Sequence, residues 1–262
     1  MKAVVLFQDG DHQWISYGQD PNRPDHVIDT NQLVFRCNHE VLLIDPGGVE
    51  IFPEYISALT RDVALEDINH ILVSHQDPDT GSSLGLWKNV CPARMQVYVS
   101  WLWSSFMAHF DGNTTFTTVP DEGMPLTVGG YKLEVLPAHY LHSPGNLCVY
   151  DAKAKVLFSG DIGASLVDTQ HLQSIYVQDF ESHIQHMAGF HRRWMGSNEA
   201  KVAWVHMVRQ LQVDLLVPQH GLIFRGDNVR KFLDWFEALP VSGGLAAYEQ
   251  ALHRLKLRPM MP

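Results

Sequence analysis

The sequence predicts an α/β (α+β) fold of four layers, with two β-sheets packed face to face and helices on their outer sides. Three observations carry that expectation. Short apolar runs broken by turn residues fill the chain as far as residue 158, and helical periodicity takes over after residue 180. A length of 262 residues with 45% hydrophobic content suffices for one layered domain over 1–262, with two small domains as the alternative.

Gln32–Cys37 and Glu40–Asp45 read as a strand pair closed by Asn38-His39, and Pro46-Gly47-Gly48 ends the second strand. A helix is expected from about Pro53, because Tyr55, Ile56 and Leu59 share one helical face. Ile68–Ser74 is almost wholly apolar, the pattern of a strand buried on both faces, and it stops at His75. Ala93–Val99 reads as a strand and Trp101–Phe110 as a helix. Leu126–Leu136 holds two strands meeting at Gly129-Gly130, and Leu147–Phe158 a hairpin that turns at Asp151-Ala152-Lys153-Ala154. Helices follow over Phe180–Met195 and Glu199–Leu211, with Gly196-Ser197-Asn198 as stop and N-cap. Leu215–Val217 is a last short strand and Val229–Leu239 a last helix.

The formal charge of −10 and pI near 5.8 exclude a phosphate-backbone partner, since nucleic-acid binding needs clustered cations and Arg192-Arg193 is an isolated pair. The apolar run of Met1–Phe7 is too short for a secretory segment, and no stretch approaches the roughly 18 apolar residues of a membrane span. Cys37, Cys91 and Cys148 are odd in number, far apart and in apolar contexts, which fits reduced thiols in or near the core and a cytoplasmic location.

Four segments place metal-competent side chains directly after strand-like runs. They are Ser74-His75-Gln76-Asp77-Pro78-Asp79-Thr80-Gly81, His139-Tyr140-Leu141-His142-Ser143-Pro144, Ser159-Gly160-Asp161 and Gln219-His220-Gly221. In the first, His75, Asp77 and Asp79 alternate and would project to one side of an extended loop, with Gly81 allowing a tight turn into a helix. An isolated Asp-x-Asp in such a turn more often caps its own backbone. Four such loops in one chain, spaced 67, 19 and 59 residues between His75, His142, Asp161 and His220, make that reading improbable.

With these motifs the chain resembles the metallo-β-lactamase superfamily over residues about 30 to 225. Within it the sequence is similar to the di-iron branch, the flavodiiron proteins and related oxygen-binding di-iron proteins, in which a carboxylate replaces the second histidine of the hydrolases' His-x-His-x-Asp-His. The resemblance implies an αββα sandwich and a two-metal site. His75, Asp77 and His142 would hold one ion, Asp79 and His220 the other, and Asp161 would bridge them. Two residues depart from the branch: Asp77 stands for the usual Glu, and Thr80 stands where the family has a histidine. The second ion would then have one imidazole and a position open to water or a diatomic ligand.

Three carboxylates and three imidazoles form a hard, anionic donor set that suits iron or manganese at least as well as zinc. Two ferrous ions supply only two of the four electrons that reduce dioxygen to water. Only 37 residues follow Arg225 and no glycine-rich phosphate loop follows a strand, so no flavin domain is expected. The chain is therefore expected to use an external redox or signalling protein, or to stop at a peroxide-like adduct of dioxygen, or bind nitric oxide, as a sensor; a homodimer is compatible with either.

His139, Tyr140, His26 and Thr80 are the candidates to line the pocket, the first two against the plain alternative of an exposed loop histidine and a packed tyrosine, and His26 against that of a surface loop residue. His183 and His186 are read as solvent-facing polar residues, and Trp101, Trp103, Phe106 and Phe110 as packing a core or dimer face. Two other functions stay open: a zinc hydrolase of esters, lactones or thioesters, and a non-catalytic metal-binding signalling module.

Overall fold

A computed structural model describes residues 1–18, 20, 22–23, 27–167 and 174–256. His26, one of the pocket candidates, lies outside the described residues. The first sheet has seven strands in chain order: β1 (Lys2–Asp9), β2 (His12–Gly18), β3 (Gln32–Cys37), β4 (Glu40–Ile44), β5 (Ile68–Leu72), β6 (Gln96–Ser100) and β7 (Phe116–Val119). It is antiparallel from β1 to β4 and parallel from β4 to β7. The second sheet comprises β8 (Met124–Val128), β9 (Tyr131–Pro137), β10 (Leu147–Asp151), β11 (Val156–Phe158), β12 (Leu215–Val217) and β13 (Phe224–Arg225), in the order β13-β12-β11-β10-β9-β8.

Three apolar clusters define four layers. Trp14, Phe35, Leu42, Leu72, Val149 and Phe158 belong to the core between the sheets. On the outer side of the first sheet, Tyr55 and Leu59 of α1 (Phe52–Leu59) and Leu84 and Trp87 of α3 (Leu84–Val90) pack on Val34, Leu43 and Ile71. On the outer side of the second, α5 (Phe180–Trp194), α6 (Asn198–Val208) and α7 (Asp227–Ala238) bury Met187, Trp204, Phe232 and Phe236 against Cys148, Leu157 and Leu216. The expected sandwich is the one observed.

The strand pairs and helices read from residues 32 to 59 and 124 to 239 appear within a few residues of their expected bounds, including the Ser197 cap, whose side chain accepts from Ala200 N–H. The helix expected over Trp101–Phe110 is a correction: only α4 (Ser104–Met107) forms. Trp103, Phe106, His109 and Phe110 each bond three residues back, so the segment is a chain of tight turns. Trp103 and Phe110 pack on the first outer core as expected, whereas Trp101 and Phe106 are exposed.

A second correction concerns α5. It buries Phe180, His183, Met187, Ala188 and His191, so His183 lies on the core face, ring against Phe224, and only His186 faces solvent. Burial pushes the His183 imidazole down to about 4, which leaves it neutral. All three cysteines are free, and burial pushes the thiols of Cys91 and Cys148 up to about 12. Among the described residues no helix is long and apolar enough to cross a membrane.

Candidate metal centre

The four loops singled out in the sequence converge at one edge of the sandwich. His75, Asp77 and Asp79 follow β5 of the first sheet; His142 lies between β9 and β10, Asp161 follows β11 and His220 follows β12 of the second. Hydrogen bonds seal the seam between the sheets there. Leu147 N–H donates to Ser74 O at 3.0 Å, Asn31 N–H to Gln219 O at 2.6 Å, and the Asn31 amide to the carbonyls of Pro218 and Gly221.

The donor atoms fall into two groups about one carboxylate. Asp161 Oδ2 lies 2.9 Å from His142 Nε2 and 3.9 Å from His75 Nε2, and Asp77 Oδ2 lies 3.4 and 3.7 Å from the same two nitrogens. Asp161 Oδ1 lies 3.5 Å from His220 Nε2, which is 3.3 Å from Asp79 Oδ2. Two donors held about 2.1 Å from one ion lie roughly 3.0–3.5 Å apart, so both groups are near the size an ion requires. Oδ1 of Asp161 is buried without a hydrogen-bond partner, a costly state for a carboxylate oxygen that a cation would relieve. His75, Asp77 and His142 have donor atoms within 4.8 Å of one another, and the donor chemistry of both groups fits divalent metal.

Neighbouring groups set the protonation of the ligands. Asp29 O, 3.0 Å away, takes the Nδ1–H of His220, which leaves its Nε2 lone pair on the Asp161 side. His75 Nδ1 lies 2.9 Å from Ser74 Oγ, and that hydroxyl donates to Asp45 Oδ2 at 2.6 Å while Ser74 N–H donates to Oδ1 at 2.7 Å. With Ser74 donating to Asp45, its oxygen accepts from His75 Nδ1–H and again frees Nε2. The side-chain amides of Gln76 and Gln219 donate to Asp77 and Asp79 at 3.1 and 3.3 Å. Burial would raise the Asp161 carboxyl, but the imidazoles of His75, His220 and His142 outweigh it and hold it well below the usual carboxylate range. Burial pushes His75 down; His142, also buried, is nevertheless raised by its hydrogen bond to Asp161 and the surrounding carboxylates.

Burial pushes the enclosed carboxyl of Asp45 up to about 8 against the bonds from Ser74. In the metal-free protein the folded chain therefore keeps a proton that the unfolded chain loses between about pH 4 and pH 8, and stability falls as pH rises through that window. Asp45→Asn is neutral throughout, so the parent is expected to lose roughly 1.4 kcal/mol per pH unit relative to it, measured by denaturant unfolding at pH 4.5, 6 and 8. The same variant is expected to weaken metal binding about 10- to 100-fold above about pH 8, where Asp45 is a carboxylate that accepts from both the N–H and the hydroxyl of Ser74 as an amide cannot.

The other pocket residues need revision. Thr80 is fully buried and its hydroxyl reaches the carbonyls of His75 and Asp77 at 2.9 and 2.7 Å, so it braces the ligand loop and does not line the opening. Both His139 ring nitrogens face backbone carbonyls, those of Pro144 and Asp121, and Tyr140 is an exposed loop residue. The first loop is also not extended throughout: Pro78–Gly81 forms a single helical turn, α2, and Gly81 packs closely against the side chains of Val73 and Met107. The opening is instead edged by the partly exposed carboxylates of Asp77 and Asp79.

Asp45, Ser74, Gln76, Gln219 and His191 escaped the sequence reading. The first ends an ordinary strand, and the others are common residues whose meaning depends on what they touch. His191 is buried on α5, accepts from Gly163 N–H at 2.9 Å through Nε2 and bonds Met187 O through Nδ1, tying the helix to the Asp161 loop.

A profile described as ODP family beta lactamase matches residues 28–221. The chain belongs to that family. Among solved structures similar to this ODP family chain are two of the chemotaxis sensor ODP. The apo form from T. denticola is 36% identical with a TM-score of 0.80, covering 92% of this chain and 95% of that one. The peroxy di-iron form of the sensor is 35% identical with a TM-score of 0.81, covering 92% and 96%. A flavo di-iron protein from Thermotoga maritima shares the fold at 22% identity and a TM-score of 0.76, with 90% of this chain matching 61% of that one. The anaerobic nitric oxide reductase flavorubredoxin of Pectobacterium atrosepticum is 24% identical over 207 residues, 76% of this chain and 40% of the relative. The chain spans half or less of the length of the curated relatives it matches.

Proposed function

We propose that this chain is a non-haem di-iron protein that binds dioxygen and serves as its sensor, in the cytoplasm and with a separate redox or signalling partner. The observation that carries the reading is the division of donors about Asp161. His75, Asp77 and His142 would hold one ion on its Oδ2 side, and His220 and Asp79 would hold the other on its Oδ1 side. Two iron ions bound there would supply electrons and open coordination positions for dioxygen.

The chain's own part is orientation and protection. Asp29 and the Ser74–Asp45 pair keep the lone pairs of His220 and His75 available. Gln76 and Gln219 hold the two carboxylates that edge the opening. With its hydroxyl committed to backbone, Thr80 adds no ligand to the second ion, which favours an open position beside His220. The three carboxylates favour iron over a histidine-rich zinc pair, and Asp77 in place of a second histidine weighs against hydrolysis. The 35% identical di-iron sensor supports the same choice.

The experiment is metal analysis of protein purified without air, followed by absorption spectra as oxygen is admitted. About two irons per chain and a stable new near-ultraviolet or visible band are expected. A colourless zinc protein indifferent to oxygen would overturn the reading, and steady consumption of oxygen or nitric oxide with a supplied reductase would replace the sensor by a reductase.

A further inference from the structure

We propose that a cavity remote from the metal centre binds a small organic phosphate, its phosphoryl group on Arg225 and Lys155 and its apolar body along Val5, Leu6 and Phe7. The cavity measures about 690 Å³, within the range of small-molecule sites. It is bordered by β1 and β13, an edge strand of each sheet, and by the turn between β10 and β11. That turn precedes β11 and Asp161 follows it, so the cavity and the metal ligands lie at opposite ends of the strand. The apolar wall has an unusual origin. Successive residues of a regular strand point to opposite faces, yet Val5, Leu6 and Phe7 all border the cavity. The register of β1 on β2 passes from Val5 opposite Ile15 to Phe7 opposite Trp14, so Leu6 is an extra residue, and the bulge turns the strand towards the cavity.

The polar wall selects an anion. Lys153, Lys155 and Arg225 border the cavity with the single carboxylate of Asp214, in a chain of net charge −10. Lys153 pairs with Asp9 at 2.9 Å and Lys155 with Asp214 at 3.6 Å, exposed pairs that a stronger anion can displace at little cost. The Arg225 guanidinium has no ion pair or hydrogen bond among the described residues; it lies over the Tyr176 ring, 5.5 Å from its centre. Tyr176 is itself fixed by its bridge to Ile223 and by Val177 N–H donating to Ile223 O at 3.0 Å. The fork is thus oriented by an aromatic face while its donors stay unspent, the arrangement that suits a bidentate phosphate. A side chain at Gly226 would meet nothing within 4 Å, so the space beside Arg225 is open. Lys155 meets the second negative charge of a phosphate monoester, which a monocarboxylate lacks.

Calorimetric titration of the metal-loaded protein tests this, with phenyl phosphate, inorganic phosphate and benzoate as probes. One phenyl phosphate per chain is expected to bind, about 10-fold tighter than inorganic phosphate, which lacks the apolar body, and than benzoate, which carries one negative charge. Arg225→Gln and Lys155→Gln are each expected to weaken it about 10-fold, and Leu6→Ala to remove most of its advantage over inorganic phosphate. Arg225 is exposed and Lys155 partly so, and neither substitution threatens the fold. Unchanged affinity in Arg225→Gln would place the phosphate elsewhere, at the metal centre above all, and overturn the proposal. Equal affinity for all three probes, or no saturation by phenyl phosphate in the millimolar range, would overturn it as well.

Discussion

Asp161→Ala is expected to lower bound iron from about two per chain to below one and to erase the oxygen-dependent absorption band. Among the described residues this carboxylate is the group that stands between the two sets of donors, with Oδ2 at 2.9 Å from His142 and Oδ1 at 3.5 Å from His220. Its loss takes one donor from each side and brings the three imidazoles together without the charge that balances them. The effect should exceed the roughly 10- to 100-fold seen when a supporting residue of a metal site is lost. The metal-free variant should fold, because alanine removes an unpartnered buried oxygen along with the charge. Metal content by elemental analysis and unfolding of the metal-free protein, taken together, separate loss of the centre from loss of the fold. An Asp161→Ala protein that still holds two irons would refute the bridging role.

The positions of the ligands were legible because each follows a run whose apolar residues leave little choice but a strand. Ile68–Leu72 and Val156–Phe158 become β5 and β11, and what comes next must emerge at the sheet edge. Strand β1 was illegible for the opposite reason: it is an edge strand with Val5 half exposed and its register broken between Val5 and Phe7, so no clean alternation marks it. Supporting residues were hidden by chemistry. A serine beside a histidine and an aspartate ending a strand carry no signal until Ser74 and Asp45 are 2.6 Å apart across 29 residues. The histidines of α5 misled in another way. Spacing shows that His183 and His186 share a helix, but which one faces the core depends on where the second sheet lies.

Asp151→Ala should produce the largest loss of stability, at a place remote from the centre. The residue ends β10, opposite Val156, at the far end of the β10–β11 pair from Asp161. The sequence marks it as the start of a hairpin turn, and its N–H contacts with Lys153 and Ala154 at 2.9 and 3.2 Å serve that turn. The same carboxylate also pins the sheets together. Oδ2 takes His12 and Trp14 of β2 at 2.5 and 2.6 Å, and Oδ1 takes the Tyr131 hydroxyl of β9 at 2.9 Å. Asp151 and Trp14 are fully buried, and His12 is walled in by Phe7, Phe35 and Tyr131. Alanine strands the buried donors of His12 and Trp14 without water to replace the acceptor and takes the partner of the half-buried Tyr131 hydroxyl, a loss of about 3–5 kcal/mol. For a chain of this size that lowers Tm by roughly 10 °C. Tyr131→Phe removes a single donor and leaves Asp151 its other partners, so about 1 kcal/mol is expected. Both variants should bind iron as the parent does once folded. Calorimetric unfolding with metal analysis tests this pair of outcomes, and a loss under 1 kcal/mol in Asp151→Ala would show that the contacts between the apolar sheet faces hold the sandwich without the pin.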